Sequence, residues 1–139
     1  MKRLIFIVLL LGAAYIAHEQ TQPQWQPATA EIQTEQRSSG FRDGDQVRGS
    51  GTVIRILPDD TDGSRHQRFI VRLASGRTLL IAHNIDLAPR IPSLQVGDSV
   101  SFYGEYAWNN KGGVIHWTHR DPAGRHVAGW LEREGKRYE

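Results

Sequence analysis

Short runs in which apolar and polar residues alternate, separated by turn-forming residues, constrain the fold of this chain more than any other feature. Residues 67–73 show the pattern most clearly, because Phe69, Val71 and Leu73 share one face of an extended chain. Comparable runs recur about every eight to twelve residues from residue 47 onward. A period of two indicates strands with one buried face, so the sequence predicts a mainly β domain.

Five runs of this kind predict five strands. They cover residues 47–57, 67–73, 77–82, 100–106 and 114–118. The connection between the third and fourth strands is the longest, and the Asn- and Gly-rich residues 109–113 are typical of a hairpin loop. This arrangement favours a small closed barrel of the oligonucleotide/oligosaccharide-binding (OB) kind. An SH3-like barrel or a small sandwich is the alternative. A last short strand or hairpin is expected around Glu134-Gly135.

The first 17 residues have the organisation of an export signal. Lys2 and Arg3 precede residues 4–17, an uncharged apolar run of 14 residues. A helix needs about 20 residues to cross a bilayer core, whereas a basic start and a short apolar run are typical of a secretory signal. We expect export to the periplasm or the outer face of the inner membrane. An uncleaved membrane anchor over residues 1–17 is the alternative, and membrane contact is expected only through this segment.

Residues 18–40 have the composition of a flexible tether. They are rich in Gln, Thr, Ser and Pro, and their apolar residues, such as Trp25 and Ile32, are isolated. Such a segment cannot bury enough surface to offset its chain entropy. The folded domain is therefore expected to span residues 41–139.

The charge balance removes one argument for a nucleic-acid partner. The chain has 17 Lys and Arg against 15 Asp and Glu, and without Lys2 and Arg3 the two counts are equal at 15. A neutral domain has no bulk attraction to phosphate backbones, the largest contribution to non-specific nucleic-acid binding. The chain also has no cysteine, which excludes disulfides and thiolate chemistry.

The histidines are the first candidates for a chemical site, since five of the six lie between His66 and His126. In an OB topology the ends of strands one, three and five meet at one end of the barrel, and the histidine-rich segments would meet there. The catalytic candidates at this end are His83, Asn84, His119 and Asp121. A histidine beside a carboxylate can act as general acid or base on phosphate or glycosidic bonds near neutral pH.

Two other interpretations of the same end stay open. Two or three imidazoles with a carboxylate suit zinc or another divalent metal, with His83, His119 and His126 as the ligands. Histidines at strand ends also satisfy backbone groups, and Asp121-Pro122 is typical of the first two positions of a turn. On that purely structural interpretation His119 and His126 hold the turn in place.

A second group of candidates lies on the predicted strand faces and at the fourth hairpin. Arg68 and Arg72 share the solvent-facing side of strand two, and Arg55 and Arg77 would extend them into a basic stripe. Residues 108–111 lie where OB-like domains often contact ligands, and an aromatic ring there could stack on a base or a sugar. The ligand-binding candidates are Arg68, Arg72, Trp108 and Lys111. The alternative is a solvated strand face with Trp108 as ordinary packing.

Three segments together carry a family resemblance. Residues 66–69, 83–89 and 112–119, the last followed by Asp121-Pro122, resemble an uncharacterised family of short exported bacterial proteins catalogued as domain of unknown function 3465. The His-Trp-Thr-His sequence of residues 116–119 is the most specific part. The resemblance covers roughly residues 45–138 and implies export and one small domain. It implies no activity.

The sequence therefore leads to two hypotheses of different classes. The first is an exported or envelope-tethered OB-like binding module for an anionic or sugar-like ligand, or for an envelope protein. The alternative is a small hydrolase that uses the histidine end of the barrel on phosphate or glycosidic bonds. The hydrolase could act with or without a metal, and zinc or another divalent metal is the cofactor of its metal-dependent form.

Overall fold

The computed structural model describes residues 40–139, which form seven strands and no helix. The strands are β1 (Gln46–Asp60), β2 (His66–Arg72), β3 (Thr78–Asn84), β4 (Ser99–Ala107), β5 (Val114–His116), β6 (Trp130–Arg133) and β7 (Lys136–Tyr138). The prediction of a mainly β domain is confirmed. The predicted export signal and nearly all of the predicted tether lie outside the described residues. Between residues 40 and 139 no helix is long and apolar enough to cross a membrane.

Five of the strands close into a ring. Their order is β1-β2-β3-β5-β4, and β1 pairs with β4 to complete the circle. The β3–β5 pairing is parallel, and the other four pairings of the ring are antiparallel. With its 15 residues, β1 reaches β4 through its first half and β2 through its second. A bulge between Val53 and Arg55 shifts the register where β1 passes from one partner to the other.

A hairpin of β6 and β7 extends the sheet beyond the ring. Strand β5 is only three residues long and pairs with one end of the edge of β4 that faces away from β1. Strand β6 pairs with the same edge of β4 further along, from Ser101 to Tyr103. The expected hairpin around Glu134-Gly135 is confirmed, with β7 antiparallel to β6.

Strand β5 ends two residues earlier than predicted. The sequence pattern favoured a strand through Thr118, but Trp117 has a φ of 53° and turns the chain away from β4. Residues 117–129 then cross to β6, and the backbone N–H of Gly129 donates to the carbonyl of His119 at 3.0 Å. A Cβ on Gly129 would lie 2.0 Å from the carbonyl oxygen of Trp117, so this close approach requires glycine.

One hydrophobic core fills the ring. Its largest fully buried side chains come from all five ring strands, from the connection before β4 and from β6. They include Phe69, Leu79, Ile81, Ile91, Phe102, Tyr106, Ile115 and Leu131. Buried Gln67 joins the long connection to this core, because its side-chain amide both donates to and accepts from the backbone of Ile91 at 2.9 Å.

Candidate functional site

His83 lies buried at the end of β3 with both ring nitrogens in use. Its Nε2 donates to the carbonyl of Pro89 at 3.0 Å, and its Nδ1 accepts from the Thr118 hydroxyl at 2.7 Å. Burial lowers the pKa of His83 to about 4, despite the opposing hydrogen bond to the Pro89 carbonyl. The side chain is therefore a neutral link between the end of β3 and the segment that follows β5.

Asn84 and Asp121, the other polar catalytic candidates, hold turns. The Asn84 side-chain oxygen accepts from the backbone N–H of Asp86 at 3.0 Å. The Asp121 carboxylate accepts from three backbone N–H groups, those of Ala123, Arg125 and His126. These bonds, led by the one from Ala123, lower the pKa of Asp121 and keep it ionised. Both side chains therefore have structural contacts of the kind expected at turns.

His119 and His126 both pack against the Trp117 ring system. His126 stacks on Trp117 with centroids 4.1 Å apart and a 7° angle between the rings, and His119 is tilted at 5.4 Å. Nδ1 of buried His119 donates to the carbonyl of Arg120 at 2.7 Å. The hydrogen bond between Thr118 and His83 brings this group against His83, so the segments that follow β3 and β5 meet, as the sequence analysis expected.

Glu105 is the residue of this region that the sequence analysis missed. In the β4–β5 pairing it stands directly opposite His116, with its Oε1 at 3.5 Å from His116 Nε2. Its Oε2 lies 2.5 Å from His126 Nε2. The signal was present: a hairpin loop over residues 108–113 pairs Ala107 with Val114, and two further steps place Glu105 against His116.

The two imidazoles beside Glu105 have opposite pKa shifts. Desolvation works against the charged form of His126, but the hydrogen bond to Glu105 and the one to the Val127 carbonyl outweigh it and raise the pKa. Both partners of His126 accept, so in this geometry both of its nitrogens donate and the ring is charged. Burial lowers the pKa of His116 despite the nearby carboxylate. Glu105 and His126 thus form a charged clamp between β4 and the 117–129 segment.

The metal prediction gains no support from this geometry. Across residues 40–139 no group of three or more His, Cys, Asp or Glu side chains is arranged to hold a metal ion. Binding a metal through His83 or His126 would break hydrogen bonds that both rings already make. Zinc at His83, His119 and His126 therefore stays a prediction from the sequence.

A groove of about 340 Å³ lies on the outer face of β1, β2 and β3, beside the loop between β4 and β5. Its cationic side chains are Arg55, Arg68 and Lys111. Its apolar floor includes Leu57, Ile70 and Leu80, and Thr78 and Asn109 add neutral polar groups. The groove therefore presents positive charge above an aliphatic surface.

The β1 bulge brings Arg55 into this groove. Val53 faces the core opposite Val71, so plain alternation would turn Arg55 inward as well. The bulge shifts the register by one position and pairs Arg55 with Ile70, an outward-facing residue of β2. Arg55 and Arg68 consequently share the outer face of the sheet.

No acidic side chain lines the groove. Within the described chain, the ion pairs of arginine with a carboxylate involve other residues, namely Arg65, Arg90, Arg120, Arg133 and Arg137. Arg68 is held by a different contact, because its Nε donates to the carbonyl of Pro58 at 3.0 Å. The three groove cations therefore have no carboxylate partner among residues 40–139.

The remaining ligand candidates lie elsewhere. Arg72 lines a neighbouring cavity of about 440 Å³ rather than the groove. Trp108 packs against the core, and its backbone N–H donates to Asp43 at 2.7 Å. Arg77, the last member of the predicted stripe, lies over the ring of Phe41. Of the four predicted ligand residues, the structure brings Arg68 and Lys111 together.

Comparison with known protein families identifies the family of this chain. A family model described as "Protein of unknown function (DUF3465)" matches residues 18–139. No curated protein matches the chain.

Proposed function

The chain belongs to the DUF3465 family, whose function is unknown, and we propose that its folded part is an OB-like binding module for an anionic ligand. One observation carries the proposal: Arg55, Arg68 and Lys111 converge on an apolar groove without an acidic residue in its lining. Cations that lack a carboxylate partner favour an anionic ligand, because they are available to donate charge-assisted hydrogen bonds to it.

The position of the groove supports the OB-like interpretation of the five-stranded ring. OB domains bind ligands on the face of their second and third strands, between the loops that follow strands one and four. The groove lies on that face, and Asn109, Lys111 and Gly113 border it from the loop between β4 and β5. We therefore place the ligand on the outer face of β1–β3 rather than at the histidine end.

The contacts of the histidine end do not favour the hydrolase alternative. A general base needs a free lone pair directed at a substrate. Both nitrogens of His83 are bound within the fold, and the Asp121 carboxylate is occupied by backbone donors. These contacts support the purely structural interpretation of His83 and Asp121.

We also propose that the module is exported and acts in the periplasm or at the outer face of the inner membrane. The support is the sequence of residues 1–17, in which Lys2 and Arg3 precede an apolar run. An envelope protein is then an available partner, and the membrane is reached only through the N-terminal segment.

Titration of the full chain with inorganic tripolyphosphate, followed by backbone amide chemical shifts, tests the anionic-ligand proposal. We expect the shifts to concentrate at groove residues such as Ile70, Thr78 and Gly113. Arg68→Gln and Lys111→Gln should each weaken binding about tenfold, the effect of losing one charge-assisted contact.

Arg125→Gln is the matched control, because Arg125 is exposed and does not line the groove. It should leave the affinity within about twofold of the original. Shifts spread evenly over the surface, or equal losses in all three variants, would refute a specific anion site.

A further inference from the structure

We propose that the groove continues across β2 into the cavity around Arg72, and that the two together bind an extended acidic segment of another polypeptide. This inference rests on the anionic-ligand proposal and names its ligand. It adds Arg72 to the site, and it specifies the length of the ligand and the spacing of its acidic residues.

The two cavities adjoin on the outer face of β2. Ile70 lines the first and Arg72 the second, and they are successive outward-facing positions of the same strand. Thr78 of β3 also lines the first cavity, and it is the direct cross-strand partner of Arg72. Side chains at directly paired positions lie about 5 Å apart. A ligand that leaves one cavity along β2 therefore enters the other.

The second cavity has the same chemistry as the first. Its one charged lining residue is Arg72, an exposed side chain without an ion-pair partner in residues 40–139. Ile54 and Leu73 supply aliphatic surface, and Ser50 and Thr52 supply hydroxyl groups. The combined site therefore presents cations separated by aliphatic side chains.

The spacing of these groups matches an extended peptide. Arg68 and Arg72 are four residues apart on one strand, a distance of about 13 Å at roughly 3.3 Å per residue. In an extended ligand, side chains at positions i and i+4 have the same separation, and position i+2 lies between them. Ile70 occupies that middle position on β2. The site therefore fits a segment with acidic residues at i and i+4 and an aliphatic residue at i+2.

The lining favours a polypeptide over a single-stranded nucleic acid. Bases bind OB surfaces largely by stacking on aromatic rings, and no aromatic side chain lines either cavity. Tyr106 is buried, Trp108 packs against the core and Tyr103 packs against Trp130. An aliphatic floor instead suits an aliphatic side chain, whose burial adds to the charge contacts.

Both edges of β2 are already paired, with β1 and β3. The peptide therefore cannot add as another strand of the sheet, and its side chains must supply the recognition. This predicts an interaction that depends on the spacing of charges and not on main-chain hydrogen bonds.

Two synthetic peptides of equal charge and composition test the spacing. In the first peptide, two glutamates at positions i and i+4 flank a valine at i+2. In the second, the glutamates are at i and i+2 and the valine is at i+4. Binding to the full chain is measured by calorimetry. We expect the first peptide to bind about tenfold more tightly, since only it reaches both Arg68 and Arg72.

Variants of the chain assign that difference to Arg72. Arg72→Gln should abolish the preference for the first peptide, Arg72→Lys should restore most of it, and Arg125→Gln should leave it unchanged. Equal affinity for the two peptides, or a preference that survives Arg72→Gln, would overturn the inference. Tighter binding of oligothymidylate or of anionic phospholipid vesicles than of the first peptide would overturn it too.

The tripolyphosphate titration separates this failure from failure of the underlying proposal. If Arg68→Gln still weakens tripolyphosphate binding while the peptides show no preference, the anion site stands and the peptide inference is wrong. If tripolyphosphate does not bind in the groove, both are wrong.

Discussion

At the scale of single residues, His83 is an ionisable side chain that the fold keeps neutral. Its two hydrogen bonds require one protonated and one unprotonated nitrogen, and burial opposes a second proton. Protonation would leave Nδ1 unable to accept from Thr118 and would place a charge in the protein interior. The pKa of about 4 in the folded protein therefore makes stability depend on pH.

We predict that acidification from pH 7.5 to 4.5 lowers the free energy of unfolding by roughly 2 to 3 kcal/mol through His83 alone. Because its pKa is lower in the folded state than in the unfolded state, this stabilisation is full above about pH 6.5 and is lost as the pH falls toward 4. Urea denaturation at the two pH values measures it.

His83→Gln supplies the comparison, since glutamine does not titrate. This variant should be less stable than the original chain at pH 7.5 and should lose less stability on acidification. Identical pH dependence in the two proteins would show that His83 is not the group responsible.

The ligand site shows at residue scale what the sequence could and could not predict. Arg68 was placed on the outer face by alternation, and Lys111 by its position in the hairpin loop. Arg55 was expected in the same basic stripe, but it reaches the groove through the β1 bulge, a backbone irregularity that alternation does not reveal. Trp108 followed the same loop argument as Lys111, yet it packs against the core because burial of a large aromatic ring outweighs exposure.

At the scale of elements, the 117–129 segment is defined by what holds it to β4. The Glu105–His126 contact holds the C-terminal part of the segment on β4, and Trp117, at the start of the segment, stacks on the same imidazole. The sequence placed the histidines at the end of β5 but overextended the strand, because the positive φ of Trp117 leaves no trace in the apolar pattern. Glu105 could be found only by counting the hairpin register outward from its loop.

We predict that Glu105→Gln lowers the pKa of His126 toward its ordinary value, because the largest favourable interaction of the charged imidazole is lost. The raised pKa means that this contact stabilises the fold below about pH 6.5 and is lost as the pH rises through the folded-state value. The substitution should lower the free energy of unfolding by about 1 kcal/mol at pH 6, a modest value because the pair is partly exposed. The loss should be smaller at pH 8.5, where His126 is less protonated.

A histidine-resolved NMR titration gives the pKa values, and urea denaturation at the two pH values gives the stabilities. Asp43→Asn is a matched control, because it removes a carboxylate whose charge favours protonation of His116 while the Glu105 contact of His126 stays. A His126 pKa that stays raised in Glu105→Gln would contradict the clamp.

At the scale of the whole molecule, residues from both ends of the described chain meet in one core. Val47 of β1 and Tyr138 of β7 belong to the same hydrophobic cluster. The ring closes through the pairing of β1 with β4, which joins segments far apart in sequence. Unfolding any one strand therefore exposes core side chains against which the other strands pack.

We predict that a fragment of residues 40–139 unfolds in urea in a single transition, because one shared core leaves no part that is stable alone. Far-UV circular dichroism and tryptophan fluorescence should give coincident curves. The many long-range strand pairings should make refolding take milliseconds to seconds. Separate midpoints for the two probes would show that the β6–β7 hairpin or the ring unfolds independently.

The outer edge of β7 governs how copies of the domain behave at high concentration. An exposed strand edge is a template on which a second chain can pair and from which fibres grow. This edge is only three residues long, and Lys136 and Arg137 on it are exposed. Arg137 is paired with Glu132, but Lys136 forms no ion pair among residues 40–139, so two such edges brought together would place lysine charges close to each other before they formed many hydrogen bonds. Edge-to-edge aggregation therefore meets an electrostatic barrier at this point of the sheet.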